Sequence, residues 1–310
     1  MKAIIINEFG TADQLKIAEI EKPVITSDQV LIKVKAVGIN PVETKIRAGS
    51  HVSSKTLQFP AILGKDFSGI VEEVGMNVQN VEVGDAVFGL ATQTYAEYIA
   101  VSPDVFVKKP ENITFEEAAA APLAGLTAYQ AIHDHLKVQS GEHILIQSAA
   151  GGVGHFAVQL AKIAGASVSG TASGKNIEFI KELGVDQPID YKNQRFEEIL
   201  SDLDAVLDTM GGDVLYRSIN CVKPGGKVVC LPSYTKDDPK AIELAQKRNI
   251  NLMWTMLTFK RESLMKLSEL IERGLLKIFV GEILPMNEIA EAHREIETHG
   301  TKGKIVVRIS

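Results

Sequence analysis

The chain has 310 residues, of which 45 % are hydrophobic and 23 % charged, and its net charge is −6. That length suits two domains rather than one core, and the proportions are those of ordinary globular proteins, which argues against disorder or a repeat array. An acidic balance with no Lys/Arg cluster argues against a nucleic-acid surface, and the two cysteines, Cys221 and Cys230, cannot make a four-thiolate zinc site or a disulfide framework.

The first ten residues, MKAIIINEFG, hold one Lys and a short apolar run, without the length or cleavage site of a signal peptide. From there to about Val107 the chain alternates short strand-like runs with turn signals. Strands are predicted at Ala3–Ile6, Gln29–Ala36, Gly69–Val74, Ala86–Gly89 and Glu97–Ala100, punctuated at Asn40-Pro41, Gly75-Met76-Asn77 and Gly84-Asp85. Such a pattern describes an antiparallel barrel or sandwich. Thr114, with Glu116 and Glu117 behind it, opens a helix whose spacing runs, broken near Pro122, to about His135. The longest uncharged stretch, Ala118–Ile132, is interrupted by Pro122 and Gly125 and falls short of the roughly 18–20 apolar residues that span a bilayer. A cytoplasmic protein is the expectation.

Strands and helices then alternate. Strands are predicted at His143–Ser148, Ser167–Thr171, Gln187–Asp190, Ala205–Asp208, Lys227–Leu231 and Asn251–Thr255, and helices at Val153–Ala164, Asn176–Leu183, Phe196–Leu200, Val214–Val222 and Lys240–Arg248. This is the signature of a doubly wound parallel sheet, a Rossmann arrangement in an α/β protein. A helix near Arg261–Arg273 and a strand–helix–strand tail (Ile278–Leu284, Asn287–Thr298, Lys304–Ile309) could rejoin the first domain. The expected division is therefore 1–121 with 275–310 as one domain and 122–274 as the other.

The richest stretch is HILIQSAAGGVGHFAVQLAKIAGA, His143 to Ala166. An apolar strand runs into Ser148–Gly154 and then into an amphipathic helix. A pyrophosphate would lie at the helix N-terminus, where unpaired N–H groups and the dipole favour negative charge. Gly151 would let backbone approach phosphate and Gly154 would let helix pack on strand; Ala149 stands where the usual pattern begins with glycine. Ala150, Gly151, Gly152 and Val153 are the candidate phosphate contacts. The second strand runs into Ala172-Ser173-Gly174-Lys175-Asn176, with no carboxylate before Glu178 to hold a ribose 2′-hydroxyl. Ser173 and Lys175 suit a 2′-phosphate instead, with Tyr191 adding a hydroxyl. NADPH is the expected cofactor. Met210, Gly211 and Leu231 follow strand ends where ligands of such sheets bind.

The segments Gly38–Pro41, Gly64–Gly69, Val83–Gly89, Ala124–Tyr129, Ala149–Gly154, Asp208–Gly212 and Gly303–Val307 together resemble the medium-chain dehydrogenase/reductase superfamily, in its zinc-free quinone oxidoreductase (zeta-crystallin-like) branch. They span nearly the whole chain in the expected order. The resemblance implies a GroES-like β-barrel catalytic domain, a Rossmann domain with the cofactor in a cleft between them, and a dimer or tetramer; a homodimer is the expectation, since dimers of the family often join through the last Rossmann strand, here Asn251–Thr255. It further implies Asn40 as the catalytic residue near nicotinamide and acceptor, Thr127 near the nicotinamide ribose, and Lys304 of the closing motif among the cofactor contacts. Zinc-dependent relatives carry Cys at the position of Asn40 and His at that of Lys65; Asn and Lys are poor zinc ligands, so no metal is expected.

Hydride transfer without a metal needs an electron-poor acceptor. A quinone is the leading expectation; the double bond of an α,β-unsaturated carbonyl is the alternative, and a catalytically silent NADPH-binding sensor a third reading. The segment Val42–His51 lacks the Tyr that some enoyl-thioester reductases of this superfamily use as proton donor. His51 there could supply a proton but reads first as an exposed loop residue, and His155 as a packing residue that could touch the diphosphate.

Overall fold

The computed structural model describes residues 1–298 and 300–309 of the chain, so His299 and Ser310, which fall within the expected first domain, lie outside the described residues. The residues form two compact units: 1–123 with 259–274 and 278–310, and 124–258 with 275–277.

The first unit is built on strand Val30–Ile39, whose ten residues are nearly all buried. It pairs antiparallel with Asp66–Val74, Tyr98–Val101 and Lys304–Arg308 in a seven-stranded sheet. Val280–Pro285 adds to the last of these in parallel, while Ala86–Leu90 and Phe106–Lys108 extend the other side. A three-stranded sheet joins Lys16–Glu19, Lys2–Ile6 and Ala61–Ile62. The core between these elements includes Ile4, Ile32, Val37, Ile39, Phe67, Val87 and Val307. The helix Arg261–Glu272, expected with the parallel sheet, belongs to this unit. Asn112 Nδ2 donates to Ile271 O (3.1 Å), and Arg261 Nε donates to Phe106 O (3.3 Å).

Two helices of this unit start on capping boxes. At Thr114 the side chain accepts from Glu117 N–H (3.1 Å) and the Glu117 carboxylate accepts from Thr114 N–H (2.8 Å). The turn expected at Asn40-Pro41 is in fact the start of a helix, Pro41–Arg47: Asn40 is its N-cap, Pro41 stands at the first position, and the Glu43 carboxylate accepts from Asn40 N–H at 2.6 Å.

In the second unit all neighbouring strands are parallel. Their spatial order is Gln187–Asp190, Ser167–Ala172, His143–Ile146, Leu203–Asp208, Val222–Cys230 and Asn251–Trp254. The order reverses at His143–Ile146, where the chain first ascends in one direction and then in the other. That is the topological switch point at which ligands of such sheets bind, beyond the carboxyl ends of the strands. The helix after the first strand, Gly154–Ile163, has its residues from Gly154 to Ala161 buried. Helix Pro122–Tyr129 continues into a π-helix, Gln130–Leu136. No helix among the described residues is long and apolar enough to cross a membrane.

Candidate functional site

Every strand of the second unit points its carboxyl end the same way, so the loops that follow share one edge of the sheet. Ser148–Val153 follows the first strand, Ser173–Lys175 the second, Tyr191 the third, Thr209–Gly211 the fourth and Leu231 the fifth. Eleven of the thirteen residues predicted for the site come from this unit, and ten of those lie on these loops. Thr127 sits apart, half-buried in helix Pro122–Tyr129. Asn40 and Lys304 belong to the first unit.

The glycine-rich turn is shaped to receive an anion. Ser148 sits in the left-handed region (φ 53°), held by Thr171 Oγ1, which accepts its N–H at 3.0 Å; Ala149 N–H donates to Thr171 O at 2.8 Å. Ser148 O then accepts from Gly151 N–H (2.9 Å) and closes the turn. A β-carbon on Gly154 would lie 2.1 Å from that same Ser148 oxygen, so only glycine allows the helix to start this close to the strand. No side chain caps the helix, and the N–H groups of Gly152 and Val153 have no acceptor among the described residues. Unpaired donors at the positive end of a ten-residue helix fit a diphosphate. His155 is fully buried and its Nδ1 lies 3.0 Å from Gly151 O, so its ring packs behind the turn.

A buried polar chain fixes the neighbouring loops to this turn. Thr171 Oγ1 donates to Gln147 Oε1 (2.7 Å), Gln147 Nε2 to Ser218 Oγ (3.2 Å), and Ser218 Oγ to Asp208 Oδ2 (3.0 Å). The other Asp208 oxygen accepts the N–H groups of Met210 (2.9 Å) and Gly211 (2.7 Å). Burial raises the Asp208 carboxyl above the usual range, opposed by these N–H donors. Gly211 has φ 72°, and a β-carbon there would meet Thr235 Cγ2 at 2.7 Å. Sequence reasoning missed this chain; its signal was the set of small polar residues, Gln147, Thr171 and Asp208, at successive strand ends.

Ser173 and Tyr191 are brought side by side, since Ala172 pairs with Asp190 and Tyr191 N–H donates to Ala172 O at 3.1 Å. Lys175 is exposed and in no ion pair among the described residues, and Tyr191 is 56 % exposed. One carboxylate does approach this turn. A β-carbon on Gly174 would lie 2.8 Å from Asp190 Oδ2, yet the Asp190 oxygens are engaged by Asn193 Nδ2 (2.7 Å) and Lys192 N–H (3.1 Å) in their own turn.

In the first unit Asn40 is 1 % exposed and sits in a buried ionic cluster. Its Nδ2 donates to Asp66 Oδ2 (2.9 Å) and Glu43 Oε1 (3.1 Å), which occupies both amide hydrogens. Its Oδ1 accepts from Lys304 Nζ, which also donates to Ile39 O (3.0 Å) and lies 3.4 Å from Asp66 Oδ2. Burial, then the Asp66 charge, pushes the Glu43 carboxyl up to about 8; burial also raises Asp66. Both Asn40 amide hydrogens and the Lys304 ammonium, 4 % exposed with three partners, are thus engaged within the first unit. Lys65 carries an ammonium without a lone pair, so positions 40 and 65 do not fit a zinc ion. Below the cluster, Arg47 Nη1 donates to His293 Nδ1 (3.1 Å), which leaves the imidazole proton on Nε2 for Tyr95 Oη (3.1 Å). Burial, with the Arg47 charge, lowers His293 to about 3. His51 caps the turn Val52–Thr56 by accepting from Ser53 N–H at 3.2 Å.

A family model described as an alcohol dehydrogenase GroES-like domain matches residues 26–111, and one described as a zinc-binding dehydrogenase matches residues 183–307. An NADPH-dependent alkenal/one oxidoreductase of the chloroplast of Arabidopsis thaliana is 34 % identical over 99 % of this chain and 79 % of its own length. The chain belongs to the medium-chain dehydrogenase/reductase family. Its fold is therefore a GroES-like catalytic domain joined to a Rossmann domain. Among solved structures, the quinone oxidoreductase of Coxiella burnetii superposes with a TM-score of 0.94 at 39 % identity, covering 100 % of this chain and 99 % of that one. The Escherichia coli quinone oxidoreductase complexed with NADPH superposes with a TM-score of 0.90 at 27 % identity, over 100 % of both chains.

Proposed function

We propose that this protein is an NADPH-dependent reductase that passes hydride to a quinone without a metal. The observation that carries the reading is the shared sheet edge on which the unpaired N–H groups of Gly152 and Val153 stand beside Ser173, Lys175 and Tyr191. NADPH supplies the hydride. The N–H groups of the turn hold its diphosphate, and Lys175, Ser173 and the Tyr191 hydroxyl hold the 2′-phosphate. Asp208 keeps the Met210–Gly211 turn rigid, so that backbone meets the cofactor without reorganising; Ala150 and Leu231 line the same edge, and Thr127 completes the contacts from its helix. Asn40 is a positioning residue: its amide ties the start of helix Pro41–Arg47 to Asp66 and Lys304. The alkenal/one oxidoreductase among the relatives supports a second acceptor class, the double bond of α,β-unsaturated carbonyls. There hydride goes to the β-carbon and a solvent proton to the α-carbon.

Residues 1–121 with 275–310 are proposed as the catalytic domain and 122–274 as the cofactor domain, with helix Arg261–Glu272 reassigned to the former. Strand Asn251–Trp254 closes its sheet with an edge that no strand pairs among the described residues, which supports a homodimer in which two copies pair through it. Two buried free thiols, Cys221 and Cys230, support a cytoplasmic location.

The test is turnover of a panel of quinones and enones by the purified protein, with NADPH and NADH compared and products identified. Hydroquinone formation with NADPH preferred is the expected result; a saturated ketone as the main product selects the second acceptor class. Tight NADPH binding, read by Trp254 fluorescence, with no acceptor reduced would overturn the enzymatic reading.

A further inference from the structure

The chain passes from one unit to the other after Leu123, Thr258, Gly274 and Lys277. At three of these crossings the last residue before the crossing is gripped through its backbone by a buried polar side chain of its own unit. Leu123 N–H donates to Asp66 Oδ1 at 2.7 Å. Thr258 is held at both ends of its peptide functionality: Gln130 Nε2 donates to Thr258 O (2.5 Å) and Thr258 N–H donates to Gln130 Oε1 (3.2 Å). Lys277 is held identically, Gln159 Nε2 donating to Lys277 O (2.9 Å) and Lys277 N–H to Gln159 Oε1 (2.8 Å). The fourth crossing leaves a helix end, where Gly274 has φ 67° and Asn112 Nδ2 donates to Ile271 O at 3.1 Å.

The two glutamines are 4 % and 8 % exposed. Burying an amide is unfavourable unless it is fully hydrogen-bonded, and a Met or Leu would fill either place without that requirement. What a carboxamide adds is a donor and an acceptor at the spacing of one rung of a β-ladder, so it fixes a backbone residue that has no strand neighbour. Gln130 opens the π-helix, and His135 in the same π-helix reaches Thr255 Oγ1 at 2.9 Å, a second hold on the segment that leads out of the unit. Gln159 lies in the helix that starts at the glycine-rich turn.

We infer that Gln130 and Gln159 are hinge pins. They fasten the chain to the parallel-sheet unit up to Thr258 and Lys277, and confine bending between the units to the peptide bonds just beyond these residues. The inference stands independently of the cofactor and acceptor.

The experiment uses the full chain with Gln130→Met and Gln159→Met, singly and together. Amide hydrogen exchange should accelerate roughly ten- to thirty-fold in the peptide covering 255–260 for the first and 275–280 for the second, with the rest of the parallel sheet unchanged. Spin labels placed through Met76→Cys and Lys192→Cys, both at exposed positions while the native thiols are buried, should show a broader distance distribution in the double Met variant. Unchanged exchange at the two segments overturns the proposal. So does acceleration spread through the whole unit, or local acceleration with an unaltered distance distribution. Gln130→Glu and Gln159→Glu keep the acceptor half of each clip and give the same readout, weaker, if the Met variants do not fold.

Discussion

Substituting Gly154 by Ala separates what the glycine-rich turn does for the fold from what it does for an anion. The added β-carbon would lie 2.1 Å from Ser148 O, 2.8 Å from Ala149 Cα and 2.9 Å from Ala149 C. All three are backbone atoms, and Ser148 O already accepts from Gly151 N–H at 2.9 Å, so the helix must retreat by about 1 Å to restore ordinary contact. Alanine gains up to about 1 kcal/mol of helix propensity. Against this stand about 1–3 kcal/mol of overpacking and about 1 kcal/mol for a weakened turn bond. The clash wins, and a net loss of about 1–3 kcal/mol is expected. Gly151→Ala is the matched control, since its β-carbon meets only Ser148 Oγ at 3.0 Å and Ser148 O at 3.2 Å. It should fold within about 0.5 kcal/mol of the parent yet bind NADPH at least tenfold more weakly, because a methyl group then faces the phosphate. Gly154→Ala should lose both stability and affinity. Urea unfolding followed by circular dichroism, with NADPH titration by fluorescence, reads both quantities. Parental stability and affinity in Gly154→Ala would refute the claim that the helix start is held against the strand by the absence of a side chain.

Further outcomes follow from the same geometry. Lys175→Ala should raise the KM for NADPH about tenfold, which is about 1.4 kcal/mol, and leave that for NADH within twofold; equal effects on both would remove Lys175 from the 2′-phosphate. Glu43, raised from 4.5 to about 8 by burial and the Asp66 charge, binds its proton more tightly folded than unfolded. Its contribution is complete below about pH 4.5 and is lost as pH rises through 8, with a slope of up to about 1.36 kcal/mol per pH unit. Glu43→Gln should flatten that limb in unfolding measured across pH. His293, lowered from 6.5 to about 3 by burial and Arg47, acts in the opposite sense: stability present above pH 6.5 is lost as pH falls towards 3, and His293→Gln should remove that acid-side loss. Lys304→Met leaves the Asp66 charge buried and unpaired and should destabilise by about 3–5 kcal/mol. Adding Asp66→Asn should recover much of this, with the KM for NADPH unchanged in the double variant; a rise there would assign Lys304 to the cofactor contacts.

Much of the second unit was legible because parallel strands are buried on both faces and each is followed by a turn and a helix. Gln187–Asp190 matches its prediction end to end, and the helix after the glycine-rich turn is one residue shorter at each end than predicted. The first unit was harder. Lys16–Glu19 is an exposed edge strand with no alternation to betray it, and Ala61–Ile62 is too short for any period. Helix Pro41–Arg47 was misread as a turn even though Asn-Pro-Val-Glu carries an N-cap, a proline at the first position and a glutamate at the third. That misreading also hid the buried cluster. Glu43 is three residues from Asn40 and belongs to that same local signal, whereas Asp66 and Lys304 come from distant strands whose packing against Asn40 no local pattern reveals. Where polar atoms are paired by residues distant in sequence, as Asn40 is by Asp66 and Lys304, only three-dimensional placement shows that they are already spoken for.

The interruption of the first unit by residues 124–258 has a consequence for how the protein comes off the ribosome. Strand Val30–Ile39 is completed on one side by Lys304–Arg308, and Arg47 waits for His293, so the core made before residue 124 stays open until residues 293 and 304–308 have been translated. The later-made parallel sheet closes with far shorter loops and can finish first. The nascent amino-terminal strands are therefore the part of this chain with the longest exposure to chaperones and to misassembly.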